Sequence, residues 1–177
     1  MMSLQNIASV MQTLARYQPR IERLSQLHSE ISQIAHFGCS TGSETLALAV
    51  ILKACKVIGL DKDANAIWQA REELSRFQED LGMLRRDLPY FQNLHADVRL
   101  QLEGFAGEHS GRIFVEYVEG DMTQRTSLPL DHFDLAFCDY TLYIISCDDR
   151  DNVRENTVNA IHEMARVIKP TGIIVAN

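Results

Sequence analysis

At 177 residues the chain is long enough for one domain with a single core. Its 46% hydrophobic and 23% charged composition is globular and excludes a disordered chain. The formal net charge of -7 argues against duplex nucleic acid as a partner, because neutralising phosphates needs clustered Lys and Arg, and Arg85-Arg86 is an isolated pair.

Four cysteines (Cys39, Cys55, Cys138, Cys147) show no C-x-x-C spacing, and the six histidines are scattered, so no metal site is expected. Cys55 and Cys138 lie in apolar runs and read as small buried hydrophobes. The chain has no apolar stretch long enough to span a membrane. It also has no charged start followed by an apolar block, which argues against a secretory signal and for a cytoplasmic protein.

In chain order, residues 1–32 read as N-terminal helices, with apolar residues at helical spacing from Leu4 to Ile31 and a break near Pro19. The domain proper is expected over 33–177. Gln33 to Phe37 reads as a buried strand, followed by a tight turn at Gly38 to Gly42 and a helix from Ser43 to Lys53. Lys56 to Leu60 reads as a second strand ending in a carboxylate, Asp61. Asp63 then caps a helix running to about Gln78. Residues 80–110 form an insertion. Residues 112–118 alternate as a third strand before Gly120-Asp121-Met122, and Phe133 to Cys138 is a fourth, ending at Asp139-Tyr140. Asn152 to Ile168 has helical period, with Val153, Val158, Ile161, Met164, Ala165 and Ile168 expected on its apolar side. Lys169-Pro170-Thr171-Gly172 reads as a stop and turn, and Ile173 to Ala176 begins a fifth strand.

Strands alternating with helices predict an α/β fold, a doubly wound parallel sheet in the order 3-2-1-4-5. A strand, a glycine turn, a helix, and a second strand ending in an acid is how such folds hold a nucleotide-like ligand. A dinucleotide fingerprint would have glycine at 38, 40 and 43, whereas this chain has Gly38, Ser40 and Ser43. That makes an NAD-dependent oxidoreductase a third choice.

The segment Gly38-Cys39-Ser40-Thr41-Gly42-Ser43-Glu44 resembles the first motif of class I (Rossmann-like) S-adenosylmethionine (SAM)-dependent methyltransferases. It is especially similar to the version in chemotaxis-receptor methyltransferases, where a small residue also replaces the middle glycine. The resemblance covers roughly residues 33–177 and implies SAM as cofactor. It implies that the backbone at Gly38, Cys39, Ser40 and Gly42 lies against the methionine end of the ligand, and that Asp61 accepts from the ribose hydroxyls. It further implies that, after Gly120, Asp121 accepts from the adenine amino group and Met122 packs on the ring. Asp139 would meet the ligand's ammonium group or the methyl acceptor, with Tyr140 and Tyr143 lining the acceptor pocket; Asp139 and Tyr140 are the candidate catalytic pair.

Departures from the family pattern bear on the acceptor. His36 stands where many relatives carry an acid. Amino-methylating nucleic-acid enzymes read Asn or Asp, then Pro-Pro and an aromatic, at this position, and the prolines are absent here; chemotaxis enzymes carry Arg-Asn where this chain has Asp139-Tyr140. The expected acceptor is a small molecule or a protein. A non-catalytic binding or regulatory protein of the same fold is the alternative. Class I methyltransferases usually continue past the fifth strand with a helix and an antiparallel hairpin, so the sequence reads either as a fragment or as a short form whose fifth strand is covered by the N-terminal helices or in a homodimer.

Overall fold

The computed structural model describes residues 31–52, 56–86, 114–139, 141–142, 145 and 152–176. The expected helices of 1–30, the insertion beyond Arg86, Cys55, Cys147, Tyr140 and Tyr143 lie outside them.

Five parallel strands form one sheet in the order β3-β2-β1-β4-β5: β1 Gln33–Phe37, β2 Lys56–Asp61, β3 Phe114–Glu119, β4 Phe133–Cys138 and β5 Ile168–Ala176. This is the predicted doubly wound order. The three central strands are nearly continuous apolar runs because both of their faces are covered. The edge strand β3 alternates instead, with Val115 and Tyr117 buried and Phe114 exposed, where Lys56 Nζ sits 5.3 Å from the Phe114 ring centre.

Three helices carry the layers: α1 Ser43–Ile51, α2 Ala64–Arg86 and α3 Val153–Val167. On one face, Ile34, Val57, Val115, Leu135 and Phe137 pack with Leu46 and Leu48 of α1 and Ile67 and Ala70 of α2. On the other, Ala35, Phe37, Ile58, Leu60 and Ala136 pack with Ala160, Met164 and Val167 of α3. Asp63 caps α2 as its sequence position predicts, its side chain accepting the Asn65 N–H at 2.8 Å.

Three features depart from the sequence reading. Helix α2 runs eight residues past Gln78, to Arg86. Lys169-Pro170-Thr171-Gly172 is not a turn before β5 but an irregularity within it. Phe133 pairs with Ile168 while Leu135 pairs with Ile173, so two residues of β4 oppose five of β5. Local turn chemistry yields here to pairing on both sides of the bulge. The third departure is the phase of α3. Its buried residues are Ala160, Glu163, Met164 and Val167, while Val158, Ile161 and Ala165 face outward.

Glu163 takes a buried place on α3 because its charge is fully met. Arg166 donates to it from Nε at 2.7 Å and Nη2 at 2.6 Å, and Thr126 donates from its backbone N–H at 2.9 Å and its hydroxyl at 2.5 Å. Burial works to raise the Glu163 carboxyl, but the Arg166 and Thr126 donors outweigh it and hold it below the usual range. Near the start of β4, the Asp134 carboxylate accepts the Ser32 and Gln33 N–H groups, the Ser32 hydroxyl and the Lys169 ammonium, the last at 2.7 Å. Burial again opposes these donors, and again they hold the carboxyl down.

Candidate functional site

The carboxyl ends of β1, β2 and β4 converge where the glycine turn leaves β1, the usual place for a ligand in an open parallel sheet. The turn has an unusual backbone. Gly38 (φ 70), Ser40 (φ 48) and Gly42 (φ 85) all take left-handed conformations, and two of the three are the residue type that does so without strain. The turn is tied to β2 by the Gly38 and Cys39 N–H groups, which both donate to the Leu60 carbonyl at 2.7 and 3.1 Å.

Asp61 completes the link. Its Oδ2 accepts the Ser40 N–H at 2.8 Å, and its Oδ1 accepts the Asp63 N–H at 2.9 Å. Two residues 21 positions apart in sequence thus share one site. A carboxylate offers about four lone-pair positions, and two of Asp61's serve the backbone, which leaves room for a vicinal diol.

Beneath the turn lies Tyr117 of β3, almost wholly buried, its hydroxyl donating to the Gly42 carbonyl at 3.0 Å. A side chain at Gly42 would strike the Tyr117 ring and hydroxyl. Burial pushes the Tyr117 hydroxyl well above its ordinary range. The Cys39 side chain is buried beside it. Burial first, then the Asp61 charge, pushes that thiol up to about 12. Cys39 therefore gives the turn its backbone, while its sulfur belongs to the core. Cys138, also buried, is pushed up to about 11.

Asp121 follows β3 and closes its own turn, its Oδ1 accepting from the Thr123 N–H and hydroxyl, both at 2.8 Å. Met122 packs in the α3-side core with Leu60 and Leu128, and Gly120 lies against Leu60. Asp139, buried, follows β4. Its carbonyl accepts the Thr141 N–H at 2.8 Å and, at 3.3 Å, the Thr141 hydroxyl. Thr141 leans across to Gly38, where it fills the space a Cβ would occupy. Gly38, Cys39, Ser40, Gly42 and Asp61 are thus brought together. Asp139 reaches the same end of the sheet through Thr141, and Gly120, Asp121 and Met122 stand after the neighbouring edge strand. Tyr140 lies outside the described residues.

Sequence reasoning missed Tyr117 and Thr141. The alternating pattern of β3 puts Tyr117 on an inner face, and only the glycines at 42 and 59, both of which abut its ring, signal what it lies beneath. Among the described residues no three His, Cys, Asp or Glu side chains converge as a metal site requires, and no helix is long and apolar enough to cross a membrane.

A doubly wound parallel sheet with a left-handed glycine turn after β1, linked to a carboxylate at the end of β2, defines a Rossmann-like α/β domain. Residues 35–176 match the family described as "Methyltransferase domain", and the chain belongs to that family. No curated protein sequence matches it significantly. Solved structures share the fold. The PH0226 protein from Pyrococcus horikoshii OT3 is 18% identical with a TM-score of 0.54, over 90% of this chain and 53% of that one. A SAM-dependent methyltransferase from Aquifex aeolicus is 15% identical with a TM-score of 0.53, over 88% and 62%. The glycopeptide N-methyltransferase MtfA, solved with SAM, is 14% identical with a TM-score of 0.52, over 89% and 52%. The chain spans about half the length of the solved structures it matches.

Proposed function

We propose that this domain binds SAM and serves transfer of its methyl group to a small-molecule or protein acceptor in the cytoplasm. The observation that carries this reading is the Ser40 N–H to Asp61 bond, which sets a glycine-lined backbone surface and a diol-binding carboxylate side by side. The turn from Gly38 to Gly42 would lie against the methionine end of the ligand. Asp61 would hold the ribose through hydrogen bonds to a charged acceptor, the stronger kind. Asp121, with Gly120 and Met122, would meet the adenine, and Asp139 and Tyr140 would face the acceptor.

Bound SAM would supply an electrophilic methyl group on a good leaving group. The chain's own work is to hold donor and acceptor in line and to exclude water. A proton acceptor is needed only for acceptors that must lose a proton, and Asp139 would serve as one.

One observation favours a second reading, a non-catalytic binding or regulatory protein. The Thr141 side chain lies against Gly38, on ground the methionine end of the ligand would use. An NAD-dependent oxidoreductase is disfavoured by Ser40 and Ser43. Thermal shift with SAM, S-adenosylhomocysteine and NAD in parallel separates these readings, since a ligand of the native state raises the melting temperature by mass action. Stabilisation by the two adenosyl-sulfur ligands and not by NAD is expected. Single-turnover transfer from labelled SAM into a pool of metabolites and proteins then distinguishes an enzyme from a protein that only binds.

A further inference from the structure

The Glu163–Arg166 pair of α3 holds a loop as well as itself. The Thr126 N–H and hydroxyl both donate to Glu163 Oε1, at 2.9 and 2.5 Å. The Thr126 carbonyl accepts from Arg166 Nη2 at 3.5 Å, and the Leu128 carbonyl accepts from the same nitrogen at 2.8 Å. The loop closes on itself through the Leu128 N–H, which donates to the Thr126 hydroxyl at 3.2 Å. Glu163 is 5% exposed, so its charge is carried into the core.

Stability alone is a poor account of a buried ion pair. Taking two charges out of water is costly, and apolar side chains of similar volume often serve a core as well. Here the acid meets the loop's donors and the base meets its carbonyls, so the loop fits α3 in one alignment. That loop begins at Asp121, just after the edge strand β3. The Asp121 carbonyl accepts the Gln124 N–H at 3.0 Å, and its Oδ1 is taken by Thr123, which fixes the direction of Oδ2. Met122 and Leu128 are buried with Met164 in the α3-side core. Between those two apolar anchors, Thr126 is the loop's polar hold on α3.

We propose that Glu163 and Arg166 are positioning residues for base recognition: they fix the loop after β3 so that Asp121 accepts from a 6-amino purine and rejects a 6-oxo purine. The assignment rests on the SAM-binding reading, and neither residue touches the ligand. In a 6-oxo purine an acceptor replaces the amino donor, and the nearest N–H moves to N1. A pinned carboxylate cannot follow that move and is left facing a carbonyl, which is how a polar site rejects a near-analogue. A loop released from α3 can shift to the N1–H. The clamp therefore acts on the choice between bases, beyond any effect it has on stability.

The test is a two-by-two calorimetric comparison of S-adenosylhomocysteine and its 6-oxo counterpart, S-inosylhomocysteine, each against wild type and E163Q. It is run at a temperature where circular dichroism shows both chains folded. Wild type is expected to prefer the adenosyl ligand by about tenfold or more, the worth of a hydrogen bond to a charged group, and E163Q to narrow that preference to within about threefold. A wild-type preference kept by folded E163Q overturns the positioning role and leaves the pair a purely structural one. Wild type binding both ligands equally also overturns it, while the SAM reading stands on the affinity for S-adenosylhomocysteine. Wild type binding neither ligand overturns the SAM reading, and the positioning role with it. Should E163Q fail to fold, Thr126→Val carries the test, since it drops only the hydroxyl bond to Glu163. A narrowed preference in that variant supports the clamp, and an unchanged one overturns it.

Discussion

Ser40 is the residue at which the turn is most costly. A non-glycine side chain in the left-handed region loses about 1–2 kcal/mol, and the bond from its N–H to Asp61 helps hold it there. Asp61 therefore has a structural task beside the proposed ribose contact. Asp61→Ala should lower stability by about 1–3 kcal/mol, because two backbone N–H groups lose their acceptor. Asp61→Asn keeps an acceptor for one of them and should lose less stability. Urea melts of both variants beside calorimetry with S-adenosylhomocysteine check this; an Asp61→Ala melt matching wild type would remove Asp61 from the turn. Gly42→Ala meets both the left-handed backbone and the Tyr117 ring, so it should cost more than the conformational penalty alone, above about 2 kcal/mol. The thiols of Cys39 and Cys138, pushed up to about 12 and about 11 by burial, should resist alkylation in the native chain at pH 8 and react once it is unfolded.

At the scale of elements, α3 shows how a polar partner can reset which face is buried. A helix bought into the core by Ala160, Met164 and Val167 admits Glu163 because the Thr126 loop and Arg166 meet its charge. The pH dependence follows from direction. Glu163 and Asp134 both sit below their ordinary range when folded, so the unfolded chain binds more protons in acid. Their stabilisation is present in full above about pH 4.5, the top of the unfolded range, and is lost as pH falls through the folded values. Glu163→Gln should lower stability at pH 7 by about 1–3 kcal/mol and flatten the acid limb of a melting-temperature profile. An acid limb as steep as wild type would mean other carboxyls dominate it. By contrast, Val158→Lys and Ile161→Lys change the outward face and should stay within about 0.5 kcal/mol of wild type.

Across the whole molecule, the legible parts are those decided by short-range pattern. β1 and β4 are apolar runs bounded by turn signals, and the structure places both where the sequence does. The glycine turn and Asp61 are legible because their residue types are tied to backbone shape and to a carboxylate's chemistry. What the sequence hides depends on partners far along the chain. Glu163 is buried on account of Thr126, 37 residues earlier. The Lys169–Gly172 stretch is a bulge because β4 pairs on both sides of it. His36 meets Glu44 only once α1 has folded back over the end of β1.

The Tyr117 hydroxyl bond to Gly42 joins the turn to an edge-strand residue 75 positions downstream in the chain. Edge strands are where local opening is cheapest, yet here opening β3 removes the floor beneath Gly42. Fraying at the rim of the sheet and loss of the turn's shape become one event. A ligand held by the turn should then slow amide hydrogen exchange along Val115 to Val118 by up to the factor 1 + [L]/Kd at the ligand concentration used.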